Sequence, residues 1–332
     1  MKNISAVIKQ QLNYQTKARY FYFFLIVILL LCIMASFLQV NAYKESVATL
    51  TRDLEEIQKS DSSLSLDFFL NQDVHITYDE DGGQQVDNYI KYDFSKVVSY
   101  YNALQPLSAF NQFFTSIAFV FFQLMIGIYG VFLAYTNIKY STDKFVIMQY
   151  GKVSYFYGQM LAGMITVLLI LLQIIIFAPI SQWLVNFLVP VKNPYLTYLP
   201  KSQVTFLDKL PVEILIMFAI GTIYVACMYC FTTLVKNQII PLLLIFIYML
   251  ILPNLGAYDF KNVILYSIQK VFNTSAATLD MIPARVINIQ TAVIIGALFL
   301  VMLVMGTFYL DRERGFYSNY FKKKQGLPKC SS

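Results

Sequence analysis

The sequence predicts an all-α polytopic membrane protein with six transmembrane helices, both termini cytoplasmic, and a small α/β extracellular insertion between helices 1 and 2. Three observations predict it. Hydrophobic residues make up 58% of the 332-residue chain and charged residues only 13%, against about 25% charge in an ordinary soluble domain. The apolar residues gather in six runs, most of them near the roughly 20 residues that cross a bilayer. Lys and Arg concentrate in alternate connections, as the positive-inside rule requires. This composition excludes a soluble enzyme, a disordered regulator and a secreted disulfide scaffold.

Residues 1–19 place Ile4, Val7, Ile8 and Leu12 at helical spacing among Lys2, Lys9, Lys17 and Arg19. That pattern predicts a cytoplasmic amphipathic helix lying in the inner interface. The first span, 20–40, is too long for the apolar region of about 7–15 residues in a signal peptide, so it is read as a retained helix. Residues 41–108 form the one large soluble insertion, a helix–hairpin–helix cap. Val47, Leu50, Leu54 and Ile57 recur at helical spacing and extend the first span as an amphipathic helix. Val74, Ile76 and Tyr78 alternate ahead of Gly82-Gly83, a strand and hairpin turn. Phe94, Val97, Val98, Tyr101 and Leu104 form a second helical stripe. A unit this small buries little core of its own, so it is expected to rest on the membrane domain or on a partner's cap.

The second span is 109–136, followed by a cytoplasmic connection at 137–152 and the third span at 153–179. An extracellular loop at 180–210 leads to the fourth span, 211–235. The fifth, 238–254, is short because Pro241 and Pro253 bracket its core, and it reads as broken or tilted. Residues 255–285 return outside, with Val263, Ile264, Ile268 and Val271 predicting an interfacial or re-entrant helix. The sixth span is 286–310, and 311–332 is a basic cytoplasmic tail.

The charge pattern orients this layout. One side collects residues 1–19, then Lys139, Lys144 and Lys152, then Lys236, then Arg312, Arg314, Lys322, Lys323, Lys324 and Lys329. Those regions hold fourteen basic and three acidic residues; the opposite side holds eleven basic and sixteen acidic. All the basic regions share a side only with six spans and both ends inside. The net charge of +6 therefore belongs to the cytoplasmic face, and no nucleic-acid role follows from it. The chain's richness in Lys, Asn, Ile and Tyr points to an AT-rich bacterial genome, and with the six spans predicts a multi-pass protein of a bacterial cell membrane.

Catalytic chemistry is sparse. The lone histidine, His75, reads as structural. Asp79, Glu80, Asp81 and Asp87 cluster near the hairpin, but Gly83 stands where a calcium loop needs a ligand. Cys227 and Cys230 form a C-x-x-C inside an apolar span, without the soluble βαβ context of a redox motif. Glu213 and Asp311 sit at span ends, where a carboxylate can reach the interface. Gly151-Lys152 lacks the preceding glycine of a phosphate-binding loop. No catalytic, metal or cofactor residues are therefore assigned, and the chain is not expected to be an enzyme. Polar side chains within the spans are Gln123, Gln159, Gln173, Thr222 and Tyr229, read as interhelical hydrogen bonds or as residues of a cargo path. In the 137–152 connection, Phe145, Val146, Met148 and Tyr150 stand among polar residues and ask for a protein partner with a groove.

This layout resembles the ABC-2-type permeases of ATP-binding-cassette transporters: an interfacial N-terminal helix, six spans, a short loop between the second and third, and outer helices before the sixth. Locally, TNIKYSTDKFVIMQYGKVSYFYGQML is similar to the family's segment opening the third span. Gly151-Lys152 takes its Ser-Arg position and Gly158-Gln159 its Gly-Lys position, while Thr136 and Ile138 replace the acidic residues, Tyr140 the first glycine and Gln149 the usual proline. The resemblance implies a membrane subunit of an exporter for an amphipathic or hydrophobic peptide, antibiotic or lipid. It would pair with a second permease subunit, identical or related, and work with a separate ABC ATPase that binds ATP and Mg. Phe145, Val146, Met148, Tyr150 and Lys152 would then couple to that ATPase. The other reading is a non-transporting membrane sensor or immunity protein whose cap binds a peptide.

Overall fold

No glycine precedes Gly82 and no proline precedes Pro106, so nothing interrupts the helix that begins at Tyr20. In a computed structural model of the chain it runs unbroken to Ser60. Its 41 residues reach about 60 Å at ~1.5 Å per residue, twice the ~30 Å hydrocarbon thickness of a bilayer. The structure describes residues 2–61, 64–74, 76–78, 84–140, 142–199, 206–257 and 259–277.

In chain order the elements are α1 (Lys2–Lys17), α2 (Tyr20–Ser60), α3 (Leu66–Leu70), β1 (Ile76–Tyr78), β2 (Gln84–Val86), α4 (Tyr89–Ala103) and α5 (Ala109–Phe114). They continue with α6 (Ala118–Lys139), α7 (Thr142–Tyr150), α8 (Lys152–Leu188), α9 (Phe206–Val235), α10 (Ile239–Phe246) and α11 (Phe260–Val271). The described chain is predominantly helical, and four helices in it are long and apolar enough to cross a membrane: α2, α6, α8 and α9 from Lys209.

Several predicted boundaries move. The second span, expected to be continuous over 109–136, is split after Phe114. Thr115 Oγ1 turns back to Asn111 O at 3.1 Å, Ser116 Oγ to Phe113 O at 2.9 Å, and Ser116 Oγ accepts from the Ala118 N–H at 3.2 Å. Short hydroxyl side chains offer the backbone this alternative to the helix ladder. The third span is longer than expected, because α8 passes through Pro179 and absorbs residues 180–188 of the predicted outer loop. It stops at Val189, the residue before Pro190. The fifth span is not membrane-length: α10 passes into a π turn at Ile247–Ile251 and ends. Leu252 is extended there, as the proline that follows it requires. The predicted sixth span, 286–310, and the tail, 311–332, lie outside the described residues, as do His75, Asp79, Glu80 and Asp81.

The main core joins α2 (Phe24, Ile28), α6 (Phe122, Tyr129), α8 (Ile170, Ile174), α9 (Met217, Val225) and α11 (Ile264, Ile268). At one end Phe114 lies edge-on to Phe110, Phe113 and Phe122 at 5.0, 4.9 and 5.1 Å, a favoured geometry for aromatic quadrupoles. A second core lies beyond the bundle. The distal half of α2 brings Val47, Leu50 and Leu54 against Leu66 and against Ile90, Phe94 and Val97 of α4, all buried. The 41–108 insertion thus builds a core of its own on a helix it shares with the bundle, contrary to the expectation that it would merely rest on a surface. Strand β1 pairs antiparallel with β2, Ile76 opposite Val86. The connection after α8 is tied to this unit: Asn193 Nδ2 donates to Tyr43 OH at 2.7 Å, and Tyr195 OH to Thr51 Oγ1 at 3.2 Å.

Candidate functional site

Two corners make α7 a separate element between α6 and α8. The second is Gly151, whose φ of 83° is strained for any residue with a Cβ. Its N–H donates to Ile147 O at 2.9 Å, closing α7, and its carbonyl accepts from Tyr155 N–H at 3.0 Å, opening α8. The predicted coupling residues divide by face. Val146 is buried against Val7 of α1 and Tyr155 of α8, with Ile147 and Tyr150 packed alongside. Phe145 and Met148, three residues apart and so on one helical face, are 68% and 74% exposed. Lys152 is the first residue of α8 rather than part of a loop, and it is exposed.

Beneath α7 the seam between α1 and α8 is polar. Val7, Gln11 and Gln15 follow at i, i+4 and i+8 and are all buried. This corrects the apolar face read from sequence, since Ile4, Ile8 and Leu12 are only half-buried. The glutamines are buried because each finds a partner, as buried amides must. Gln159 Nε2 donates to Gln11 Oε1 at 3.0 Å; Gln15 Nε2 donates to Tyr129 OH at 2.8 Å; Thr166 Oγ1 lies 3.0 Å from Gln15 Oε1. Gly158 permits the approach, for a Cβ there would fall 2.7 Å from Val7 Cβ. A small cavity of about 60 Å³ remains at the junction, lined in part by Gln11, Asn137, Thr142 and Gln159. Tyr14 borders it, and burial holds its phenol above the usual range, with Tyr140 and Tyr20 adding to the effect. A glutamine pair four residues apart within α1 was the available sequence signal.

The polar residues proposed for a cargo path fall on different seams. Gln123 of α6 meets Tyr224 OH of α9 at 3.5 Å. Gln159 belongs to the α1–α8 seam. Tyr229 of α9 is buried beside Phe156 of α8, ring centroids 6.1 Å apart. Gln173 Oε1 and Thr222 Oγ1 are buried without a hydrogen-bond partner among the described residues. Glu213, predicted at a span end, is buried within the protein: it is 2% exposed and accepts from Asn111 Nδ2 at 3.0 Å.

Among the described residues no group of three His, Cys, Asp or Glu could hold a metal ion. At the α1–α7–α8 junction a short helix is packed on one face through Val146 and exposed on the other at Phe145 and Met148. Fold and junction together define a helical protein with four helices long and apolar enough to cross a membrane. Compared with known protein families, curated proteins and solved structures, the chain matches none.

Proposed function

We propose that this chain is the membrane subunit of an ABC-2-type exporter, moving an amphipathic or hydrophobic cargo with ATP hydrolysed by a separate subunit. The observation that carries the reading is α7. It joins two helices of membrane-crossing length, is anchored inward by Val146, and turns Phe145 and Met148 outward. A helix that transmits force needs a packed contact on each side, and large apolar side chains dominate such contacts. The inward contact bears on α1 and α8, so a push on α7 would reach both. Lys139, Lys144 and Lys152 flank or lie in α7, and by the positive-inside rule we read that side as cytoplasmic, where an ATPase would bind.

The double substitution Phe145→Ala and Met148→Ala tests this. Both side chains point away from the protein's own cores, so folding and insertion should survive. Loss of two interface anchors typically costs about 1–3 kcal/mol. Pull-down of the tagged chain from its source cells should recover a P-loop ATPase with the native protein and markedly less with the variant. Recovery of no ATPase with the native chain would overturn the reading. The sensor alternative draws on the separate core of the 41–108 unit, which buries more apolar side chains than its length led us to expect. It predicts that a peptide, rather than an ATPase, accompanies the chain.

A further inference from the structure

Where α4, α5, α9 and α11 meet, a cavity of about 560 Å³ opens. A water's share of liquid volume is ~30 Å³, so this space admits a small headgroup. Its inner wall carries Glu213, buried, which accepts from Asn111 Nδ2 at 3.0 Å. Asn111 is 2% exposed, and its Oδ1 has no hydrogen-bond partner among the described residues; neither has the buried Oδ1 of Asn102 on the same wall. Buried acceptors left unpaired are costly, and three acceptor groups bordering one cavity ask for a ligand with several donors. Lys209 and Lys270 border the same cavity but are exposed, which places positive charge at its rim. Glu213 lies four residues after Lys209 in α9, about 6 Å along the helix. In the predicted layout, where the fourth span opens at 211, this sets the carboxylate near the membrane–water boundary.

We propose that this cavity binds a zwitterionic headgroup of the ethanolamine phosphate type, its primary ammonium among Glu213, Asn111 and Asn102 and its phosphate toward Lys209 and Lys270. A primary ammonium has three N–H donors, as on a lysine side chain; a quaternary choline has none and cannot satisfy the asparagine oxygens. The proposal does not rest on the exporter reading, since a chain that transports nothing could hold a lipid here.

Native mass spectrometry of the full-length protein in detergent, titrated with phosphatidylethanolamine, phosphatidylcholine and phosphatidylglycerol of equal chain length, tests it. Phosphatidylethanolamine should bind about tenfold or more tighter than phosphatidylcholine, the scale of one hydrogen bond to a charged group. Glu213→Gln should markedly reduce that preference while leaving phosphatidylglycerol binding unchanged. Asn102→Leu, at a less buried residue, should weaken the preference and serves if Glu213→Gln does not fold. Glycerophosphoethanolamine separates the sources. If it competes with the lipid, the headgroup alone is recognised; if it binds where the lipid does not, the ligand is a soluble amine of the same chemistry. Equal binding of the two zwitterionic lipids with no binding of glycerophosphoethanolamine would overturn the proposal, as would an unchanged preference in a folded Glu213→Gln protein.

Discussion

Replacing Gly158 by Ala tests whether α1 is held as a docked element. The new Cβ would lie 2.5 Å from Val7 Cγ1 and 2.7 Å from Val7 Cβ. Carbon atoms at rest stand about 3.5 Å apart or more, so α1 and α8 must separate by nearly an ångström. Val7 cannot swing aside, because its Cβ is fixed to the helix and a β-branched side chain is confined to one rotamer there. The helix therefore lifts as a body, and the 3.0 Å Gln159–Gln11 and Thr166–Gln15 contacts stretch toward the limit of useful hydrogen bonding. Overpacking costs about 1–3 kcal/mol and one lost hydrogen bond about 1 kcal/mol, together about 2–4 kcal/mol. At tenfold per ~1.4 kcal/mol, the undocked population rises roughly thirty- to several-hundred-fold. Trypsin cleavage at Lys9, exposed but within α1, reports that population when opening is fast relative to cleavage. Val7→Ala in the same chain should recover only part of the loss, because the Val7 Cβ is itself too close. Cleavage of the Gly158→Ala protein at the native rate would refute the docking argument.

Two glycines of α6 should behave differently although they are one turn apart. At Gly130 a Cβ would meet the backbone oxygen of Val225 at 2.8 Å, so Gly130→Ala must push α9 away and cost about 1–3 kcal/mol. At Gly127 the obstacle is Ile245 Cδ1, the tip of a side chain that can rotate, so Gly127→Ala should cost under about 1 kcal/mol. Equal shifts of the two variants in thermal unfolding would contradict this. Asp259 caps α11, accepting from the N–H of Lys261 at 3.2 Å and of Leu255 at 2.9 Å, and from Tyr248 OH at 2.7 Å. Burial opposes its ionisation, but those donors and the Lys261 ammonium outweigh it and hold the carboxyl below its usual value. A depressed Asp contributes stability above its unfolded pKa of about 3.9 and loses it as pH falls through the folded value. Hydrogen exchange at Leu255 and Lys261 should accordingly show a loss of protection in acid, below about pH 4, absent from Asp259→Ala. That variant should also lack about 1 kcal/mol of cap stability at neutral pH, and an acid step retained by it would contradict the assignment.

Local periodicity carried much of the fold. The stripe Val47, Leu50, Leu54 and its counterpart Phe94, Val97 are visible because helical spacing is a property of neighbours, and both are buried where they meet. The helix at Phe260–Val271 was legible for the same reason, with Val263, Ile264 and Ile268 turned inward. So was the absence of any breaker between Tyr20 and Ser60. The split after Phe114 was not, because hydroxyl groups that turn back on the helix look the same in sequence as hydroxyls that do not.

The sequence by itself determined that apolar runs of bilayer length exist and that a short segment with large apolar side chains separates two of them. Only the tertiary structure decided which of those side chains are free to meet something else. Phe145 and Val146 are adjacent and similarly apolar, yet one is bare and the other is clamped on Val7. The same holds for polar groups. Gln11 and Gln159 are 148 residues apart, and Asn111 and Glu213 are 102 apart. An amide or carboxylate is costly to bury alone and acceptable to bury in a pair, so its place is set by a partner that no local pattern reveals.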